Sequence, residues 1–170
     1  VAALDLNEDK VKKLAEEYPC VTVLNLAKNA GQHNAIMAGL NNAKGDILIG
    51  MDDDMQTHPS QLPYLFEELE KGYDIVYGYY PEKKHSAFRN FGSWVNYISV
   101  RILIGKPKEL KTSSYWVARK FVRDSVIEYQ APYAYIQGLF LRTTRNISCI
   151  PIQHFQREEG ESNYTFKRLL

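Results

Sequence analysis

Three consecutive aspartates, Asp52, Asp53 and Asp54, follow the apolar run DILIGM, and Gln56 comes two positions after the last of them. Like charges this close repel one another, so such a cluster needs either a counter-charge or full hydration. In an extended backbone, Asp52 and Asp54 point to the same side. Their carboxylates and the amide oxygen of Gln56 are hard oxygen ligands of the kind that Mg²⁺ or Mn²⁺ prefers. The spacing therefore indicates a divalent cation site.

The residues alone leave a second interpretation of the cluster. Asp is favoured at helix N-termini, and Pro59 suits the first turn of a helix, so the aspartates could form a solvated acidic turn. A calcium-binding EF-hand loop fits badly. That loop needs Gly at its sixth position and Glu at its twelfth, where this chain has Thr57 and Pro63.

Short apolar runs alternate with amphipathic helical patterns along the chain. Strands are predicted at residues 21–26, 46–51, 73–80, 113–119 and 147–155. Helices are predicted at residues 7–18, 31–45, 59–71, 86–104 and 120–129. This alternation is typical of an α/β protein with a mostly parallel sheet flanked by helices. The run 46–51 reads as a strand buried on both faces, and ligands bind beyond the carboxyl ends of such strands.

Composition limits the classes of protein to which the chain can belong. With 170 residues, 45% hydrophobic, 24% charged and a net charge of +1, we expect one globular domain over residues 1–170 and no nucleic-acid partner. No apolar run approaches the ~20 residues that cross a bilayer. Cys20 and Cys149 match no metal-ligand spacing, and we expect both to be reduced, buried thiols. The chain starts at Val1 in a helix-like segment and stops at Leu170 in mid-pattern, which we interpret as a piece of a longer protein.

Five landmarks in order give the chain a recognisable resemblance. They are NxGQ…AKGD, DxDxQ, GYDIVYG, a helix carrying an Arg and a Ser, and REEGESNY. Together they resemble the family 2 glycosyltransferases, and more narrowly the polyprenyl-phosphate sugar transferases typified by dolichol-phosphate mannose synthase and its bacterial undecaprenyl-phosphate relatives. The resemblance implies the GT-A fold, a Rossmann-like and mostly parallel sheet, here without its first strand or strands. Many relatives carry membrane helices after this domain, and those would lie beyond Leu170.

The resemblance implies an inverting transfer of sugar from a UDP- or GDP-sugar to a polyprenyl phosphate. It assigns the cation, Mg²⁺ or Mn²⁺, to Asp52, Asp54 and Gln56. The two aspartates count as catalytic, because the cation stabilises the charge of the departing nucleoside diphosphate. Asp53 fills the variable position of the motif and adds negative field to the donor site.

The loop NAGQHNA lies where the family's donor-side loop enters a helix. The resemblance implies that Asn29, Gly31 and Gln32 line the nucleotide pocket. Gly31 has a second interpretation as a simple turn residue. The strand that grips base and ribose in the family is absent from this chain, so no base-binding residue is predicted.

Three further landmarks concern phosphate and the lipid acceptor. Arg89 and Ser93 are four positions apart, so they share one helical face, and the resemblance implies that they bind the acceptor's phosphate. A surface arginine on an amphipathic helix is the alternative. Arg157 would contact a phosphate of donor or acceptor, while Ser162 and Tyr164 shape a loop that closes on the site. The acceptor implies a membrane surface as partner, at its cytoplasmic face, in cell envelope synthesis.

An absence in the sequence bears on the acceptor. No Asp or Glu occurs between Glu128 and Arg157, where enzymes that glycosylate a hydroxyl need a carboxylate base. A lipid phosphate is already an anion and needs no base, which favours phosphate as the nucleophile. Two alternatives stay open: a family 2 transferase that acts on a glycan hydroxyl in cell-wall or surface polysaccharide synthesis, and a non-catalytic GT-A module that binds nucleotide.

Three positions depart from the family pattern. Tyr80 replaces a phosphate-binding arginine, and Lys83 or Lys84 offers a replacement cation. Leu110 stands where the family has an aspartate, and Asn163 replaces a lysine. These departures concern the acceptor side more than the donor side.

Overall fold

A central sheet of four short strands organises the protein, whose computed structural model describes residues 8–52, 57–81 and 104–153. The strands are β1 (Ile47–Gly50), β2 (Ile75–Tyr79), β3 (Trp116–Arg119) and β4 (Ile147–Pro151), in the spatial order β1-β3-β2-β4. β3 is antiparallel to both β1 and β2, whereas β2 and β4 are parallel. β1, β2 and β4 therefore end at one edge, which we call the carboxyl edge, and β3 begins there.

The predicted α/β class with helices flanking a central sheet is confirmed, but the expectation of a mostly parallel sheet is wrong for the described strands. Two of their three pairings are antiparallel. The reason is the route of the chain between β2 and β3. Ser113, just before β3, donates a hydrogen bond to the carbonyl of Gly78 at the end of β2, so β3 enters at the edge where β2 finished. A strand that starts at that edge and pairs with β2 has to run antiparallel to it.

Five α-helices and one 3₁₀ turn are present in the described ranges. The α-helices are α1 (Glu8–Glu17), α2 (Gln32–Asn42), α3 (Leu62–Glu70), α4 (Lys120–Val126) and α5 (Ile136–Thr143), and the 3₁₀ turn is Pro59–Gln61. The predictions for α1 to α4 are confirmed within a few residues at each end. α2 ends at Asn42, before the predicted end, where the backbone of Ala43 turns extended with φ of −71° and ψ of 138°.

One sequence expectation for secondary structure is wrong, one helix was not predicted, and two expectations are only partly tested. Residues 21–26 hold an isolated bridge at Val23 rather than a strand, and α5 was not anticipated, since its run IQGLFL shows no polar face. The predicted helix 86–104 lies outside the described residues except for Ile104. The predicted strand 147–155 ends at Pro151, and its last two residues are also outside the described ranges.

The core lies on both faces of the sheet. On one face, alternate strand residues such as Tyr77 and Trp116 pack with α2, α4 and α5. On the other, Val76 and Val117 pack against Leu65 and Leu69 of α3. β2 is thus buried on both sides.

β1 differs from the expectation of burial on both faces. Leu48 is buried, but Ile47 and Ile49 are 42% and 43% exposed. Ile47 and Ile49 lie on the same face as Val117, where α3 packs over β2, β3 and β4 rather than over β1. The cysteines differ too: both are free thiols, but Cys20 is exposed and Cys149 is only partly buried.

Arg119 joins the end of β3 to the end of α3. Its Nε donates to the carbonyl of Tyr73 and its Nη2 to the carbonyl of Leu69, both at 2.9 Å. Leu69 lies in the last turn of α3, where carbonyls lack helical partners and a cation is favoured. The guanidinium therefore holds the α3–β2 connection against the sheet.

We expect Arg119→Met to lower the free energy of unfolding by about 2 kcal/mol, because two charge-assisted hydrogen bonds are lost from a half-buried site. The adjacent Lys120→Met is the control. Lys120 only approaches the exposed Asp46, at 3.7 Å, and its loss should change stability by less than about 0.5 kcal/mol. Urea denaturation measures both variants. Equal losses in the two variants would contradict the role given to Arg119.

Candidate functional site

Asp52 lies at the carboxyl edge, two residues beyond the end of β1 at Gly50, and its carboxylate receives donors from two directions. Gln32 Nε2 lies 3.4 Å from Oδ1, and the Ser114 hydroxyl donates a short hydrogen bond to Oδ2. The backbone carbonyl of Asp52 accepts from the hydroxyl of the buried Thr57 at 3.1 Å. The half-buried carboxylate is thus held in one orientation at the rim of the sheet.

Ser113 and Ser114 are adjacent but serve different partners. The Ser113 hydroxyl donates to the carbonyl of Gly78 at 2.6 Å and accepts from the N–H of Tyr115 at 3.1 Å, which ties the start of β3 to the end of β2. Ser114 faces Asp52 instead. Sequence reasoning did not assign Ser114. The available signal was its place in a run of three hydroxyl residues, 112–114, at the start of the predicted strand 113–119.

The start of α2 brings the other donor to Asp52. Gly31 precedes the helix with φ of 81°, a conformation that glycine adopts without strain, and its N–H donates to Asn29 Oδ1 at 3.0 Å. A Cβ at Gly31 would meet nothing within 4 Å, so the turn geometry, not close contact, explains this glycine. Asn29, Gly31 and Gln32 therefore belong to one turn, and Gln32 joins that turn to Asp52. Their contact with a nucleotide stays a prediction.

An aromatic contact connects α2 to the segment before α5. The rings of His33 and Tyr135 are edge to face, with centroids 5.4 Å apart. Burial raises the pKa of Tyr135, so its phenol is neutral near pH 7. Tyr133, in the same segment, is 87% exposed. This part of the chain presents tyrosines and no carboxylate beside the carboxyl edge.

A cavity of about 450 Å³ runs along α5 from Tyr135 toward Arg142 and Arg145. Its other lining residues are Ile104, Tyr129, Tyr133, Gly138, Leu139 and Leu141. Asp52 does not line it. The cavity therefore adjoins the carboxyl edge through Tyr135 and His33 but is not the site built around Asp52.

Two of the departures from the family pattern are side chains packed in or against the core. Leu110 is 7% exposed within the cluster that includes Trp116. Tyr80 packs partly buried against the cluster that includes Leu65 and Tyr115. Both side chains support packing, which explains apolar and aromatic residues at these positions.

Most of the remaining predicted site residues lie outside the described ranges. They are Asp53, Asp54, Gln56, Lys83, Lys84, Arg89, Ser93, Arg157, Ser162, Asn163 and Tyr164. Their roles stay predictions. Within residues 8–52, 57–81 and 104–153 there is no group of three or more His, Cys, Asp or Glu side chains that could hold a metal ion.

Among the described residues, Asp52 and Ser114 nevertheless offer oxygen ligands of the kind that a hard cation prefers. Asp52 supplies carboxylate oxygens and Ser114 a hydroxyl oxygen, the donor types that Mg²⁺ and Mn²⁺ favour. Asp52 alone is an incomplete ligand set. A cation there would need further ligands, and the sequence predicts them at Asp54 and Gln56.

The chain matches one protein family over most of its length. The sequence model of Glycosyl transferase family 2 matches residues 4–130. Undecaprenyl-phosphate 4-deoxy-4-formamido-L-arabinose transferase of Pseudomonas fluorescens (strain Pf0-1) is 33% identical over 152 residues, 89% of this chain and 44% of that protein. The enzyme of the same name from Klebsiella pneumoniae (strain 342) is 30% identical over 168 residues, 96% of this chain and 51% of that protein. The chain thus spans about half the length of these relatives.

A solved structure shares the fold. Glucosyl-3-phosphoglycerate synthase from Mycobacterium tuberculosis, in complex with Mn²⁺, UDP-glucose and phosphoglyceric acid, superposes with a TM-score of 0.56 at 17% identity. The match covers 98% of this chain and 60% of that one. At this identity the likeness establishes the fold alone, which is the predicted GT-A fold.

The two serines should separate stability from site function. Ser113→Ala removes the link between β2 and β3, and we expect it to lower the free energy of unfolding by about 1–2 kcal/mol. Ser114→Ala leaves a partly exposed carboxylate that water can solvate, so its loss should stay below about 0.5 kcal/mol. Thermal or urea unfolding of both variants checks this. A Ser114→Ala protein as unstable as Ser113→Ala would mean that the Asp52 contact is structural.

Proposed function

Because this chain belongs to glycosyl transferase family 2, we propose that the protein transfers a sugar from a nucleotide sugar to a polyprenyl phosphate with inversion at the anomeric carbon. The observation that carries the proposal is the identity of 33% and 30% to two undecaprenyl-phosphate sugar transferases across 89% and 96% of the chain. Those proteins are about twice as long as this chain, so its activity and substrates are part of the proposal.

The donor side is built around Asp52. We assign Asp52, Asp54 and Gln56 as ligands of Mg²⁺ or Mn²⁺, and the Mn²⁺–UDP-glucose complex of the structurally similar synthase supports a divalent cation. When bound, the cation would neutralise charge on the departing nucleoside diphosphate. Gln32 and Ser114 orient the Asp52 carboxylate before any ligand binds, so this side chain does not have to reorient when the cation binds. Asn29 and Gly31 shape the turn on which the nucleotide would lie.

The acceptor side needs positive charge and no base. An oxygen of the lipid phosphate would attack the anomeric carbon as the bond to the nucleoside diphosphate breaks. The segment 129–156 contains no carboxylate that could deprotonate a hydroxyl acceptor. We assign phosphate contacts to Arg89, Ser93 and Arg157.

The lipid acceptor places the reaction at a membrane surface, and we propose the cytoplasmic face. Among the described helices, none has both the length and the apolar character needed to span a bilayer. Tyr133 and Tyr135 offer exposed amphipathic side chains beside the carboxyl edge, a residue type enriched at membrane interfaces.

The function is tested with radiolabelled UDP- and GDP-sugars, Mn²⁺ and undecaprenyl phosphate in detergent. We expect label in an organic-extractable product that mild acid hydrolyses, as for a sugar joined to a lipid phosphate. Label that appears only in a water-soluble or polymeric glycan would assign a hydroxyl acceptor instead. Tight nucleotide binding with no transfer from any donor would assign a binding module.

We expect Asp52→Asn to weaken Mn²⁺-dependent UDP or GDP binding by at least roughly tenfold, because a neutral amide is a poor ligand for a hard cation. Asp46→Asn is the matched control, since Asp46 adjoins the other end of β1 and its side chain is 95% exposed. Titration calorimetry with Mn²⁺ and with EDTA measures both. Nucleotide affinity of Asp52→Asn that equals the wild type in Mn²⁺ would refute the metal role.

A further inference from the structure

We propose that Lys111 binds the phosphate of the acceptor at the carboxyl edge, in the place of the cation that Tyr80 does not supply. The inference rests on the proposed function and concerns the other side of the same site. Lys111 belongs to none of the five sequence landmarks. Its assignment comes from how the segment 105–115 is held against the sheet.

Cys149 of β4 anchors the backbone at Lys111. The N–H of Lys111 donates to Cys149 Sγ at 3.4 Å, and Sγ lies 3.6 Å from the carbonyl of Glu109, to which it donates. Cys149 itself is paired with Tyr77 in the parallel β2–β4 ladder. The thiol therefore fixes the backbone on both sides of Leu110.

Two further contacts hold the same segment. Leu110, between the two anchored residues, is buried in the core. Lys106 Nζ donates to Thr112 Oγ1 at 2.8 Å, and burial lowers the pKa of Lys106. That ammonium group is therefore engaged within the segment, whereas the side chain of Lys111 is exposed.

The Lys111 side chain is itself positioned at the carboxyl edge. Its Nζ lies 4.5 Å from the ring centroid of Tyr79, the last residue of β2, which is within cation–π range. An aromatic face orients an ammonium group without neutralising its charge. Among the residues that the structure describes, no carboxylate forms an ion pair with Lys111. Within that part of the chain, its charge is not offset by an ion pair.

The location favours the acceptor over the donor. β3 separates β1 from β2, so Asp52 and Lys111 stand beyond strands whose ends are about 9.6 Å apart. A cation at Asp52 would contact the donor's diphosphate, and Lys111 lies at the end of β2, on the far side of β3 from Asp52, which favours its contact with the second phosphate. The anomeric carbon of the transferred sugar has to lie between the two phosphates, and the two strand spacings leave room for that arrangement.

The test compares Lys111→Gln with Lys111→Arg and with Lys108→Gln, an exposed lysine of the same segment. Farnesyl phosphate is the probe, with binding followed by calorimetry, and KM for undecaprenyl phosphate is measured where transfer occurs. We expect Lys111→Gln to weaken farnesyl phosphate binding and to raise KM by roughly tenfold, the loss of one charge-assisted hydrogen bond. Lys111→Arg should retain most of the affinity, and Lys108→Gln all of it. The affinity for UDP or GDP with Mn²⁺ should not change.

The outcomes separate this inference from the proposed function. Wild-type protein that binds farnesyl phosphate through Lys111 but never transfers a sugar would remove the function and leave the site. Unchanged farnesyl phosphate binding in Lys111→Gln overturns the assignment, as does a loss confined to UDP or GDP. Inorganic phosphate bound as tightly as farnesyl phosphate would overturn the lipid acceptor as the ligand of Lys111.

Discussion

The reversed direction of β3 is the constraint on which the site depends. Because β3 begins at the carboxyl edge, the serines before it reach the ends of β1 and β2 from between them. A parallel β3 of four residues would place that start about 13 Å away, at the other edge. Asp52 would then lose its hydroxyl donor, and the end of β2 would lose its link to β3. The antiparallel direction of β3 thus brings Ser114 to Asp52 and Ser113 to the end of β2.

The carboxylate of Asp52 is oriented by elements far apart in sequence. Gln32 arrives from the first turn of α2, and Ser114 from the approach to β3. Neither donor carries a charge, so both orient the carboxylate while leaving its negative charge for a cation. This is the arrangement expected where a hard ion must be bound at a site formed in advance.

Sequence reasoning located Asp52 and α2 because their signals are local: an apolar run that ends in carboxylates, and a Gly before an amphipathic segment. It could not give the direction of β3, since an apolar run reads the same both ways, and so it missed Ser114. The run 21–26 is rich in apolar and β-branched residues, as strands are, but a strand also needs a neighbouring strand to pair with, and the described structure gives it only the bridge at Val23. Lys111 was missed because its position depends on Cys149, which lies on another strand.

A cationic side chain at a binding site can come from either of two segments of the chain when the fold holds both segments close to the ligand. Tyr80 follows β2 and is packed against the core, so a cation at that position would have to give up this packing. Lys111 reaches the end of the same strand from the segment before β3, supported by Cys149 and Tyr79. An ammonium group is a point charge, whereas a guanidinium fixes the orientation of the phosphate through paired donors. Under the proposed assignment, Lys111 would preserve the charge at the carboxyl edge and would hold a phosphate with less fixed geometry than an arginine.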